Sequence, residues 1–156
     1  MIKLNTPFRI VLDILILAVI AFIWINSTLP VSDSSALSHG FMDKLLDFFG
    51  LDYDDLPIDK EAFHGVIRKL AHAFEFACLG GLFCLRLGKN SAKIAVFTAW
   101  GLTVCVAVLD EFIQSFSDRA CRFSDMCIDS CGAAAGIGFV LLVIYVIKKV
   151  RTRHMS

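Results

Sequence analysis

Ionisable side chains stand inside otherwise apolar stretches of this chain, at spacings that put them on shared helix faces. Arg68, Lys69, His72 and Glu75 lie in one such stretch. At 100° per residue, Arg68, His72 and Glu75 fall within about 60° of one another, and His64 extends the stripe by one turn. A second stretch carries Asp110, Glu111 and Gln114, with Asp110 and Gln114 one turn apart. A third carries Asp125 and Asp129, again one turn apart, on a line continued by Gly132 and Gly136. A histidine beside a carboxylate suits general acid or base chemistry, with Glu75 holding the tautomer of His72. Asp110, Asp125 and Asp129 offer oxygen ligands to a hard divalent cation. One histidine among carboxylates suits magnesium or manganese better than structural zinc. Arg68 and Arg119 offer positive charge to a phosphate. No serine or cysteine nucleophile stands out.

The elements that must position these groups are membrane helices. Of the 156 residues, 57% are hydrophobic and only 19% are charged. A soluble domain sits nearer half apolar and a quarter charged. The excess lies in long runs separated by short charged segments, as in lipid-facing helices. The pattern predicts an all-α membrane protein with four transmembrane helices over about residues 8–28, 63–87, 91–116 and 124–147. These occupy a single domain over 1–156, with no separate soluble part. The first run, Ile10 to Trp24, is broken only by Asp13. No small-residue cleavage site follows it directly, so it reads as a retained helix rather than a signal peptide. Net charge is zero, which leaves no basic stripe for nucleic acid.

Between the first two spans lies an acidic segment. Phe41, Leu45, Phe48 and Phe49 recur there at helical spacing after Ser32-Asp33-Ser34-Ser35, and Gly50 can stop the helix. This predicts a short amphipathic helix on the membrane surface or over the bundle. The cluster Asp52, Asp54 and Asp55 reads as a solvated loop. Cys78, Cys84 and Cys105 read as small hydrophobes, whereas Cys121, Cys127 and Cys131 lie close enough in sequence to leave a disulfide open.

Basic residues orient the spans. Lys3 and Arg9 precede span one, Arg86, Lys89 and Lys93 flank the second connection, and Lys148, Lys149, Arg151 and Arg153 follow span four. With four spans these segments share one side, which puts both termini in the cytoplasm. The acidic first loop and the third connection then face outward. Arg68, Lys69, Arg119 and Arg122 break the rule on that side. Span order alone brings the ionisable groups of spans two, three and four to one level of the outer leaflet. A charged group inside a membrane is a functional-site hypothesis by default. The bland alternative is an ion-pair network that fixes helix packing. Gly132-Ala133-Ala134-Ala135-Gly136 predicts a close-packed seam leading up to Asp125 and Asp129.

At these residues the sequence resembles the VanZ-like family of bacterial membrane proteins. The matching segments are Arg68 to Gly80, Asp110 to Gln114, and Arg119 with Ser124 to Gly132, in the same order and spacing. Phe22 to Ser27 also looks like the family's first span, which ends with a serine. Phe76 stands where the family usually has tyrosine, Ile113 where many members have histidine, and Asp118 where glycine is common. The resemblance implies residence in the bacterial cytoplasmic membrane. It also implies an association with teicoplanin resistance, through the family's founding member. It does not imply a mechanism.

Three functions follow from the residues. An intramembrane enzyme would act on a lipid-linked cell-wall precursor at the outer leaflet. His72, Glu75, Asp110, Glu111, Asp125 and Asp129 would be its catalytic groups, and Arg68, Lys69, Gln114 and Arg119 would bind substrate. A non-catalytic binder would hold a lipid headgroup, a glycopeptide or a partner protein in the same cluster. A carrier relaying protons through His72 and Glu75 is disfavoured, because no pair of helices is broken by glycine and proline.

Overall fold

The computed structural model describes residues 5–28, 40, 44, 47, 50, 60–88, 92–116 and 123–153. Four long helices carry nearly all of them: α1 (Thr6–Thr28), α2 (Lys60–Arg86), α3 (Ala92–Gln114) and α4 (Phe123–Arg153). No strand occurs among the described residues. Each helix begins and ends within a few residues of the boundary expected from hydropathy, apart from the end of α4. That helix continues past Ile147 through the basic tail to Arg153. Cations favour the negative end of a helix dipole, and the Thr152 hydroxyl donates to the Lys149 carbonyl at 2.9 Å.

Three of the four helices, α1, most of α3 and α4, are long and apolar enough to cross a membrane. α2 is also long, but Lys69, His72, Glu75 and Arg86 interrupt its apolar stretch. The outer surface of the bundle is apolar on every helix. Leu17, Phe74, Phe97 and Phe139 are all well exposed. Such a surface is unstable in water and natural in lipid. These features make the chain a multi-pass membrane protein.

α2 and α3 lie between α1 and α4, each packing against both outer helices and against one another. The most extensive contact joins α2 to α4. It is a seam of small residues. A Cβ on Gly132 would strike the Ala73 carbonyl, and one on Gly136 the Ala77 carbonyl. A Cβ on Gly80 would lie 2.8 Å from the Ala133 carbonyl oxygen. Contacts step from Ala73 with Gly132, to Ala77 with Gly136, to Gly81 with Val140, so the two helices run parallel. On the other side of α2, Phe76 and Leu79 pack with Ile16 and Ile23 of α1 and Val106 and Ala107 of α3.

In the segment between α1 and α2, Gly40, Lys44 and Asp47 are helical. Gly50 takes φ +64°, and its N–H donates to the Asp47 carbonyl at 3.2 Å. That is the left-handed stop expected of a glycine at a helix end. The apolar positions of the expected amphipathic helix, Phe41, Leu45, Phe48 and Phe49, lie outside the described residues, as do Asp52, Asp54 and Asp55. Cys127 and Cys131 are free thiols, as are Cys78, Cys84 and Cys105. Cys121 lies outside the described residues.

Candidate functional site

Charged side chains mark two levels of the bundle. About 26 Å of helix, at 1.5 Å per residue, separates Lys69 from Arg86 on α2. This is close to the thickness of a hydrocarbon core. At the Arg86 level, its guanidinium makes a two-pronged ion pair with Asp13 of α1, at 2.6 and 3.0 Å. Both side chains are partly exposed.

The Lys69 level is more crowded. α3 ends there, and its last turns bury Asp110 and Glu111, which are 0% and 3% exposed. Their spacing from Gln114 closes a local bond: the Gln114 amide donates to Asp110 Oδ2 at 2.7 Å. The other oxygen, Oδ1, accepts from the Ser27 hydroxyl at 2.5 Å. Asp110 thus ties the end of α1 to the end of α3. Asp125, in the first turn of α4, pairs with Lys69 of α2 at 2.7 Å and ties those two helices just above the glycine seam.

Asp129 lies one turn deeper. It is 4% exposed and has neither a hydrogen bond nor an ion pair among the described residues. Its carboxylate lies close enough to Asp110, Glu111, Asp125 and Glu75 to feel the charge of each. Glu75, its side chain 18% exposed, stands 3.6 Å from His72 Nδ1 through Oε2, too far for a hydrogen bond. That oxygen is buried and accepts no hydrogen bond among the described residues. His72 stacks on Phe76 with ring centroids 6.4 Å apart. His64 is buried farther up the same helix.

Glu75, Asp110, Glu111, Asp125 and Asp129 therefore converge, with Lys69 and His72 beside them. Arg68 is partly buried on α2, with no bond to this cluster shown. Arg119 and Arg122 lie outside the described residues. One contributor, Ser27, was not among the residues singled out for chemistry. Ser27 reads in sequence as the polar end of an apolar helix. The resemblance marked a serine there without giving it a partner. Trp24, one turn before it, has a buried indole N–H with no acceptor among the described residues. The Asp13–Arg86 pair was also missed as a pair. Its signal was available, since span order puts both residues at the same level. No three His, Cys, Asp or Glu side chains among the described residues are arranged to hold a metal ion.

A family model described as VanZ/LLP1 matches residues 12–146, from the first turns of α1 to near the end of α4. The chain belongs to the VanZ/LLP1 family. In this VanZ/LLP1 chain the match takes in every residue of the carboxylate cluster and both members of the Asp13–Arg86 pair. Neither the curated proteins nor the solved structures contain a match to it.

Proposed function

We propose that this VanZ/LLP1 protein crosses the cytoplasmic membrane of a bacterium four times, with both termini in the cytoplasm. Near the outer face it binds or acts on a lipid-linked substrate of the cell envelope. The observation that carries the proposal is Asp129: a buried carboxylate with no partner among the described residues, set among four others. Burying an uncompensated charge is costly. A side chain kept only to fix packing would be paired, as Asp13 and Asp125 are. Support for α2 as the fourth span comes from its two faces. Val66, Leu70 and Phe74 form an exposed apolar stripe, and His72 and Glu75 lie on the opposite side. That division suits a helix with lipid on one side and a polar pocket on the other.

In the catalytic form of the proposal, His72 exchanges a proton with the substrate and Glu75 orients it. Asp110 and Asp125 hold the helices that frame the pocket, while Lys69, Arg68, Gln114 and Arg119 receive the polar part of the substrate. In the binding form the same groups hold a headgroup or a glycopeptide without turnover. A change in teicoplanin susceptibility is then a consequence of altered envelope lipids.

The test is reconstitution of the purified protein in lipid with a lipid-phosphate substrate. Turnover that is abolished in His72→Ala, with folding and affinity retained, establishes the catalytic form. Binding without turnover establishes the other. Neither binding nor turnover, with cells indifferent to loss of Glu75 and Asp129, rejects both.

A further inference from the structure

The cluster has an unmet need for hydrogen-bond donors. Asp129 and the Oε2 atom of Glu75 are buried acceptors without a donor among the described residues. They lie on α4 and α2, the two helices locked together by the glycine seam, on either side of the Ala73–Gly132 contact. Several neighbouring donors are already engaged, Lys69 by Asp125 and the Ser27 hydroxyl and Gln114 amide by Asp110, and His72 Nδ1 stands 3.6 Å from Glu75, beyond hydrogen-bond reach. What is missing is a compact positive charge with several N–H groups.

We infer that Asp129 and Glu75 anchor a primary ammonium group carried by the ligand. The inference rests on the lipid-headgroup reading above and names its chemistry. A primary ammonium brings three donors on one small charge, enough to serve both carboxylates. A quaternary ammonium brings none. A divalent ion needs several oxygens arranged about one point, and the described residues do not provide that arrangement. A zwitterionic headgroup of the phosphoethanolamine type fits further. Its phosphate would meet the positive charge of Arg68, on the same helix as Glu75 and about two turns nearer the helix start.

The test uses the full-length protein in nanodiscs. The discs contain phosphatidylcholine mixed in turn with phosphatidylethanolamine and its monomethyl and dimethyl derivatives, and native mass spectrometry reads the lipid retained. Retention should fall stepwise as the N–H donors drop from three to none. The whole ladder should span roughly tenfold or more, as expected for charge-assisted hydrogen bonds. Asp129→Asn should flatten the ladder, and Glu75→Gln should reduce it. The ladder in the unaltered protein decides the matter even if a variant fails to fold. Ethanolamine added to the detergent-solubilised protein separates the two sources of the group. A rise in melting temperature absent from Asp129→Asn shows that the amine alone suffices. No rise, with the ladder intact, shows that the lipid is required. A flat ladder in the unaltered protein overturns the inference. In discs that also carry phosphatidylglycerol, its retention in preference to phosphatidylethanolamine overturns it too, while leaving the lipid-headgroup reading in place. Loss of lipid-phosphate binding in the reconstitution above removes that reading instead.

Discussion

At the Arg86 end of the bundle one acid meets one base, with two short bonds and part of each side chain open to the surroundings. At the Asp129 end five carboxylates gather, one of them paired with Lys69, and Asp129, buried at 4% exposure, has no partner among the described residues. The first arrangement is complete without a ligand. The second is not. The difference separates a charge that holds helices together from a charge held in readiness. Number of charges and depth alone do not make that separation.

The largest effect expected on stability comes from the seam that supports the crowded end. Gly136→Leu would drive a side chain into the Ala77 carbonyl and cost about 3 kcal/mol or more. Thermal unfolding in detergent micelles should show the protein failing to fold or melting far lower. Next comes Asp110→Ala, which leaves the buried Ser27 hydroxyl and the Gln114 amide without their acceptor. That should cost roughly 2 kcal/mol or more. Ser27→Ala removes the bond to Asp110 and the longer one from the Gln114 amide, at 3.4 Å, and should cost about 1 kcal/mol, with the Gln114 bond to Asp110 kept. Asp129→Asn should behave oppositely to Asp110→Ala: melting unchanged or raised, and substrate binding lost. If Asp129→Asn and Asp110→Ala destabilised alike, the distinction between held and holding carboxylates would fail. The smallest effect belongs to the other end. Asp13→Asn should lower the melting temperature slightly and leave lipid binding untouched, and the charge-swapped double variant Asp13→Arg with Arg86→Asp should restore the loss.

Sequence reading reached the helices because spans of about twenty apolar residues have few alternative explanations. It also reached the seam, because Gly132 and Gly136 admit a close neighbour and little else explains them on one face. The level of the carboxylates followed from span order. The individual partners did not. Periodicity assigns a residue to a face, but not to the side chain opposite. Asp110, Asp125 and Asp129 therefore looked equivalent as cation ligands. In the fold they differ: one accepts two hydrogen bonds, one forms an ion pair, and one does neither. Ser27 was hard to place for the same reason, since its acceptor lies on a helix far along the chain. α2 was read from sequence as a span like the others, and its composition sets it apart. The residues that make it less apolar are those that face the cluster.

The parallel pairing of α2 with α4 joins two helices that have all of α3 between them in the chain. A ribosome delivers them in order, so α2 must wait for this partner until the last helix arrives. During that interval the small-residue face of Ala73, Ala77 and Gly80 is not covered by α4, and Lys69 lacks its aspartate. A chain cut short before α4 would therefore expose an uncovered cation and an unfilled groove, features that membrane quality control can recognise. Docking of α4 completes the fold and delivers Asp129 in the same step, so on the proposed function a half-built bundle has no pocket with which to capture lipid prematurely.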